Sequence, residues 1–362
     1  MKRVKNIIFS AVSVFTAAAY IYFSEFISEA VIKSINICLT VIIPSMYGFM
    51  IISSIIMKSG MLGVLSRPFR LISEYIFRIP CELFSVFLIS TAAGYPTGIK
   101  MIYTLLDEKR IDSRTADYMS CFCFAGGPAF ILGICGNKKI GMIMFISITL
   151  SNIITALIMR FGKENAVLHS SCITESNVSG ASVITGAIES SAKSMFVICA
   201  MITGFSVFSA IAEKSGIIAY ISEFISYIFH TDFSVSQSIT ESVIEISRLS
   251  GFDSSSYNLI PLMTALLASG GLCVLVQVIS ISGGRLNIGK FLISRLISSV
   301  SAGMICRFIL NRTDIYISAV NMNRAVIYNR EYSILPSIFL IIMTIILLNE
   351  VNSVKLCNCA DK

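Results

Sequence analysis

The chain has 362 residues, 55% of them hydrophobic and only 14% charged, with a mean hydropathy of +0.81. That composition leaves too little polar surface to coat a water-soluble domain of this length and points to an all-α polytopic membrane protein. The formal net charge of +7 rests on Lys and Arg spread among the loops rather than gathered on one face, which argues against a nucleic-acid partner.

A bilayer asks for about 20 apolar residues per helical span. In chain order such runs are predicted at 6–23, 35–57, 115–134, 140–161, 194–213, 257–279, 288–310 and 335–349, about eight in all. Two shorter broken segments, 81–106 and 233–251, read as re-entrant hairpins that enter and leave on one side. The first run follows Lys2, Arg3 and Lys5 and reads as an uncleaved anchor, since no soluble domain comes after it. The stretch 162–192, rich in Ser, Asn, Thr and Gly, reads as a cytoplasmic linker. The expected organisation is therefore an anchor at 1–33, a first unit at 34–161, the linker, a second unit at 193–310, and a loop, last span and tail at 311–362.

Two sequences recur. Lys58-Ser59-Gly60-Met61-Leu62 returns as Lys214-Ser215-Gly216-Ile217-Ile218, and Tyr75-Ile76-Phe77 returns as Tyr227-Ile228-Phe229. Each copy is preceded by one span and followed by an interfacial helix, a broken hairpin, a Gly-Gly-interrupted span and a clean span. Counting spans gives the two units opposite orientation, the inverted repeat of many secondary carriers. With a cytoplasmic N-terminus, 19 of the 28 Lys and Arg fall inside, among them Lys100, Arg285 and Arg295. Eight fall outside, among them Lys33, Lys214 and Arg248, and Arg307 is unassigned. The bias puts both termini in the cytoplasm.

The interruptions carry the chemistry. They are Gly94-Tyr95-Pro96-Thr97-Gly98 and Ala125-Gly126-Gly127-Pro128 in the first unit, and Glu245-Ile246-Ser247-Arg248 and Ser269-Gly270-Gly271 in the second. Lipid cannot satisfy the backbone groups that such breaks release, so they must face protein or a water-filled cavity. Broken helices offer N–H groups to an anion and carbonyls to a cation. Thr97, Ser247, Ser269 and Gln277 add neutral polar groups, while Lys100 and Arg248 add positive charge that would hold an anionic solute. Glu245 would pair with Arg248 or carry a coupling proton. Close helix packing is the plain alternative for the glycines, and interfacial snorkelling is the alternative for the charges.

No GxSxG, HExxH, P-loop or G-x-G-x-x-G sequence is present, and His169 and His230 lie too far apart to build a metal cluster. No enzyme activity, cofactor or metal is expected. The 11 Cys stand mostly singly in apolar runs and read as packing residues; the close pairs are Cys121 with Cys123 and Cys357 with Cys359.

Three motifs in order resemble the YlbJ family of sporulation integral membrane proteins, within the nucleoside-recognition Gate domain group. They are Gly94-Tyr95-Pro96-Thr97-Gly98-Ile99-Lys100, Gly126-Gly127-Pro128-Ala129-Phe130, and Gly270-Gly271-Leu272-Cys273 with Gln277-Val278. The resemblance covers about 35–310 and implies endospore formation, a fold similar to concentrative nucleoside transporters, and Gate-type units. Relatives of this pattern are associated with moving dipicolinic acid, a small dicarboxylate, across the membrane around the forespore. The second hairpin departs from the family's usual Glu-Val-Thr-x-Gly, reading Glu245-Ile246-Ser247-Arg248-Leu249.

Three readings follow: a carrier of a small anion such as dipicolinate, working by alternating access; a nucleoside or nucleobase carrier; and a non-transporting membrane scaffold of the spore envelope. A proton or a sodium ion would serve as coupling ion, and a homo-oligomer is compatible with all three.

Overall fold

The computed structural model describes residues 16–59, 62–160, 180–251 and 259–313, with Ser10 and Val14 besides. The last span expected at 335–349, the tail cysteines, His169 and both termini lie outside the described residues. Every regular element among the described residues is helical.

The helices run in order as α1 (Ser24–Lys58, with a wide turn at Cys38–Ile42), α2 (Leu62–Ser66), α3 (Cys81–Ala93), α4 (Thr97–Asp107) and α5 (Ser113–Ser120). Then come α6 (Pro128–Cys135), α7 (Lys138–Met159), α8 (Gly180–Lys214), α9 (Ile217–Phe229) and α10 (Phe233–Ile244). The described part ends with α11 (Ile260–Ser269), α12 (Gly271–Ile281) and α13 (Ile288–Arg312).

Among the described residues, five stretches are long and apolar enough to cross a membrane: α1, α7, α8, α11 joined to α12, and α13. The count differs from the eight expected for identifiable reasons. The run 115–134 is two short helices, α5 and α6, separated by the extended segment around Gly126 and Gly127. The run 6–23 is described only from residue 16, where it continues into α1 through a turn at Phe23. The loop expected at 24–34 is helical, because α1 is one helix of 35 residues, about 52 Å long and longer than the hydrocarbon core. The linker also ends early: residues 180–192 form the first turns of α8.

Helix starts fall into two groups. Asp112 accepts from the Thr115 N–H at 3.0 Å, Asn137 from the Lys139 N–H at 2.9 Å, and Asn287 from the Lys290 N–H at 3.1 Å, so α5, α7 and α13 each begin with a side-chain cap. The helices that begin at the interruptions, α4, α6 and α12, have no side-chain cap.

The bundle turns its polar face inward. On α13, Phe291, Ser294, Arg295, Ser298, Ala302 and Cys306 are buried while Leu296, Val300, Met304 and Phe308 are exposed at four-residue spacing, the pattern of a helix with lipid outside and protein inside. The helix pairs α1 with α8, and α7 with α13, pack directly.

The two recurring sequences occupy matching places. Lys58 closes α1 and Lys214 closes α8. Phe77 and Phe229 are followed by Arg78 (φ 52, ψ 43) and His230 (φ 51, ψ 42), both left-handed. Two residues on, Pro80 and Asp232, each with ψ 145, lead into α3 and α10. These last two helices open the segments read as hairpins.

Candidate functional site

The interruptions meet. Gly94 closes α3 with φ +82, a conformation that only glycine adopts freely, and a Cβ there would lie 2.6 Å from the Gly127 nitrogen. The Tyr95 N–H donates to the Ala125 carbonyl at 2.7 Å, so the first hairpin tip is hydrogen-bonded to the break between α5 and α6. Gly98 sits directly against the Cys123 carbonyl, and a Cβ at Gly127 would be 3.3 Å from the Ala92 and Ala93 carbonyls. Pro96 precedes α4, Pro128 opens α6, and Gly126 makes only ordinary contact with Phe130 and Ile131.

In the second half, Gly270 has φ +84 and faces the Phe124 ring, which a Cβ would approach to 2.6 Å. A Cβ at Gly271 would be 3.1 Å from the Ser242 carbonyl and 3.2 Å from that of Val243, at the end of α10. Phe124 thereby joins the first break to the second.

One buried cation holds both breaks. Arg295 of α13, 5% exposed, donates to the carbonyls of Cys121 and Phe124 (3.3 Å) from the first break and Ala268 (3.4 Å) from the second. Its guanidinium also lies 4.6 Å from the Phe124 ring centroid and 5.3 Å from that of Phe291. Asn152 of α7 donates a further bond to the Phe124 carbonyl at 2.9 Å and accepts from Ser298 at 3.1 Å. Carbonyls released by the interruption of α5 and α6 thus find donors inside the protein, as the absence of water at membrane depth demands. The assignment of Arg295 to the cytoplasmic surface is corrected here: it is an interior residue, held by the carbonyls it satisfies.

Beside this junction lies a small cavity of about 30 Å³, room for roughly two water molecules. Its lining includes Tyr95, Phe130, Glu245, Ser247, Cys273 and Gln277. Two buried polar atoms on this lining, the Tyr95 hydroxyl and Oε2 of Glu245, have no hydrogen-bond partner among the described residues. The other Glu245 oxygen accepts from the Ser247 hydroxyl. Gln277 donates to the Cys273 sulfur at 3.5 Å. The Thr97 hydroxyl is also buried without a partner, whereas Ser269 turns back to the Leu266 carbonyl at 2.7 Å.

The two cations expected to face a solute do not line this cavity. The Lys100 ammonium donates to the Ser190 carbonyl (3.1 Å), the Ser190 hydroxyl (2.8 Å) and the Ser194 hydroxyl (2.6 Å), tying α4 to α8. Arg248 stands 3.8 Å from Glu213, 3.8 Å from Glu241 and 3.9 Å from Glu245. At the far end of the hairpin, Arg285 donates to Asp107 at 2.6 Å, a bond that raises the pKa of its guanidinium, and the Asn287 N–H donates to Asp117 at 3.2 Å. His230 is exposed at the end of α9.

Sequence reasoning missed Arg295 and Asn152. Each is a strongly polar residue in the middle of an apolar run, which is the signal that marks a group with an interior task.

No family model matches the chain, and no solved structure matches it significantly. The chain is similar to the sporulation integral membrane protein YlbJ of Bacillus subtilis (strain 168), with 22% identity over 340 residues, covering 84% of this chain and 82% of the relative. A match of that extent can leave out only the ends of the chain, so it takes in the hairpins and both interrupted spans. The similarity is to that sporulation integral membrane protein and extends over most of both chains.

Proposed function

We propose that the protein is a sporulation-associated carrier of a small anionic solute, dipicolinate or a similar dicarboxylate, and that the solute binds where the interrupted helices meet. The observation that carries this reading is electrostatic. Three helices without a side-chain cap begin at the cavity: α4 two residues after Tyr95, α6 two residues before Phe130, and α12 two residues before Cys273. Each contributes up to about half a positive charge through its first-turn N–H groups. The carbonyl ends that would oppose them are matched by Arg295 and Asn152. The region therefore has fixed donors directed inward without requiring Lys100 or Arg248.

A cavity of this size admits no dicarboxylate until the surrounding helices move, which fits alternating access. The matching left-handed turns at Arg78 and His230 support two units of one design. The bond from Arg285 to Asp107 supports their opposed orientation, since it puts the exit of the first hairpin and the loop before α13 at one end of the bundle.

The neutral lining of Tyr95, Ser247 and Gln277 keeps a nucleoside as the second reading. Uptake into proteoliposomes holding the full chain separates them. Dipicolinate should accumulate and be displaced by other small dicarboxylates, with uridine and adenosine inert. Nucleoside uptake without dicarboxylate uptake would overturn the anion reading, and inserted, folded protein that moves neither would favour the scaffold.

A further inference from the structure

We infer that Glu245 is the proton-binding site of the carrier, reached from the Glu213 end of α8 past the carboxylates that surround Arg248. The inference rests on the carrier reading above and adds its driving ion. Glu245 is 2% exposed and lines the cavity, and among the described residues its Oε2 has no hydrogen-bond donor, the Arg248 Nε standing 3.9 Å from it; the Tyr95 hydroxyl on the same lining is also without a partner. A buried carboxylate with an open oxygen is costly while ionised and at ease as a neutral acid, whose O–H can donate across the cavity.

The surrounding charges leave room for that proton. Arg248 is one guanidinium among three carboxylates, Glu213 of α8, Glu241 of α10 and Glu245 itself. Lys33 of α1 is within electrostatic reach of Glu245, which still leaves one negative charge unmatched, three less one less one. Lys214 is turned to the Phe26 ring, 4.2 Å away. The other titratable groups near Glu245 are the Cys38 and Cys273 thiols, with Cys199 against Cys38. Glu241 accepts from Gln237 at 3.0 Å.

The three carboxylates form a graded series from water to the cavity. Their side chains are 32%, 18% and 3% exposed for Glu213, Glu241 and Glu245, and Arg248 touches each. Glutamate chains of this kind mark proton relays in membrane carriers. A proton entering along the series converts the Glu245 carboxylate to the acid. That removes one negative charge from the cavity as the anionic solute arrives, and its release on the opposite side restores the carboxylate, one proton moving with each solute. Sodium fits less well, since the lining is largely apolar and offers few oxygens.

Infrared difference spectra of the full chain in liposomes, titrated from mildly acidic to mildly alkaline buffer, read this proton without any solute. A carboxylic-acid stretch should appear on acidification, vanish in Glu245→Gln, shift in Glu245→Asp, and persist in Glu213→Gln and Glu241→Gln. With the membrane potential clamped at zero, dipicolinate accumulation should rise about tenfold per pH unit of inward proton gradient. Glu245→Gln should lose that accumulation. No titrating band in the wild type, a band unchanged in Glu245→Gln, or accumulation that follows sodium instead would overturn the inference. A Glu245 band with no flux of any probe would leave the proton site standing and remove the carrier reading.

Discussion

The two interrupted regions solve one problem in opposite ways. In the first half the break between α5 and α6 is closed: the Cys121 and Phe124 carbonyls take donors from Arg295 and Asn152, Ala125 takes one from Tyr95, and Gly94, Gly98 and Gly127 bring backbones into direct contact. In the second half the turn after α10 carries a buried carboxylate with an open oxygen and a surplus of negative charge around Arg248. A satisfied junction resists movement, whereas an unsatisfied one exchanges partners at low cost. The first break is thus held by backbone contact and by Arg295, while the second half holds the buried Glu245 carboxylate among the acidic neighbours of Arg248.

The sharpest way to break this comparison is to remove the cation from the fixed side. Arg295→Met would leave the buried Cys121 and Ala268 carbonyls short of a donor, with Phe124 keeping only that of Asn152, and should cost about 3 to 5 kcal/mol of stability, seen as a marked fall in thermal unfolding temperature and in the yield of folded protein. Arg295→Lys, which keeps charge but loses the planar fork, should recover only part. An Arg295→Met protein as stable as the wild type would show that the first break is not held by this side chain.

Backbone contact comes next. Gly94→Ala places a methyl at φ +82 against the Gly127 nitrogen, where no flexible side chain can yield, and should cost about 2 to 4 kcal/mol. Gly270→Ala meets an aromatic ring at a similar φ and should cost less, because Phe124 can tilt. Equal losses at both positions would argue that the two junctions are equally rigid. Asn152→Ala should fall below either, at about 1 to 2 kcal/mol, since Arg295 still serves the Phe124 carbonyl.

Much of this was legible in the sequence because membrane burial leaves few options. Glycine beside proline in an apolar run announces a break, and the need to satisfy its backbone places Pro96, Gly98, Gly127 and Gly270 inside the protein before any coordinates exist. The pairing of Glu245 with Arg248 was readable from their spacing and stands at 3.9 Å, but the tertiary partners of the charges were not. Lys100 and Arg248 lie near the breaks in sequence, but their side chains reach Ser190 on α8 and Glu213 on α8, and such tertiary neighbours leave no local trace. Arg295 was assigned to a loop because counting positive charge for orientation treats every Arg near a span end as exposed, and this one is two turns inside α13 on its buried face. The continuous α1 escaped because Ser, Glu and Lys at 24–34 read as a polar loop, although all three are compatible with a helix that extends past the hydrocarbon core.

The smallest expected effect concerns Lys100, the residue whose charge looks most useful from sequence alone. Its three donors are directed at Ser190 and Ser194, so its part is to dock the first hairpin against α8, on the fixed side of the comparison. Lys100→Gln keeps an amide donor for one of those hydroxyls and should change stability by about 1 kcal/mol or less and dicarboxylate uptake by no more than about twofold. The paired change Ser190→Ala with Ser194→Ala removes the acceptor hydroxyls while leaving the ammonium. If docking is the role, that variant should loosen the hairpin at least as much as Lys100→Gln, read as faster hydrogen exchange in α4. If Lys100→Gln instead abolishes uptake while the serine variant transports normally, the ammonium must turn to the solute during the cycle, and the fixed half would contribute a charge to binding after all.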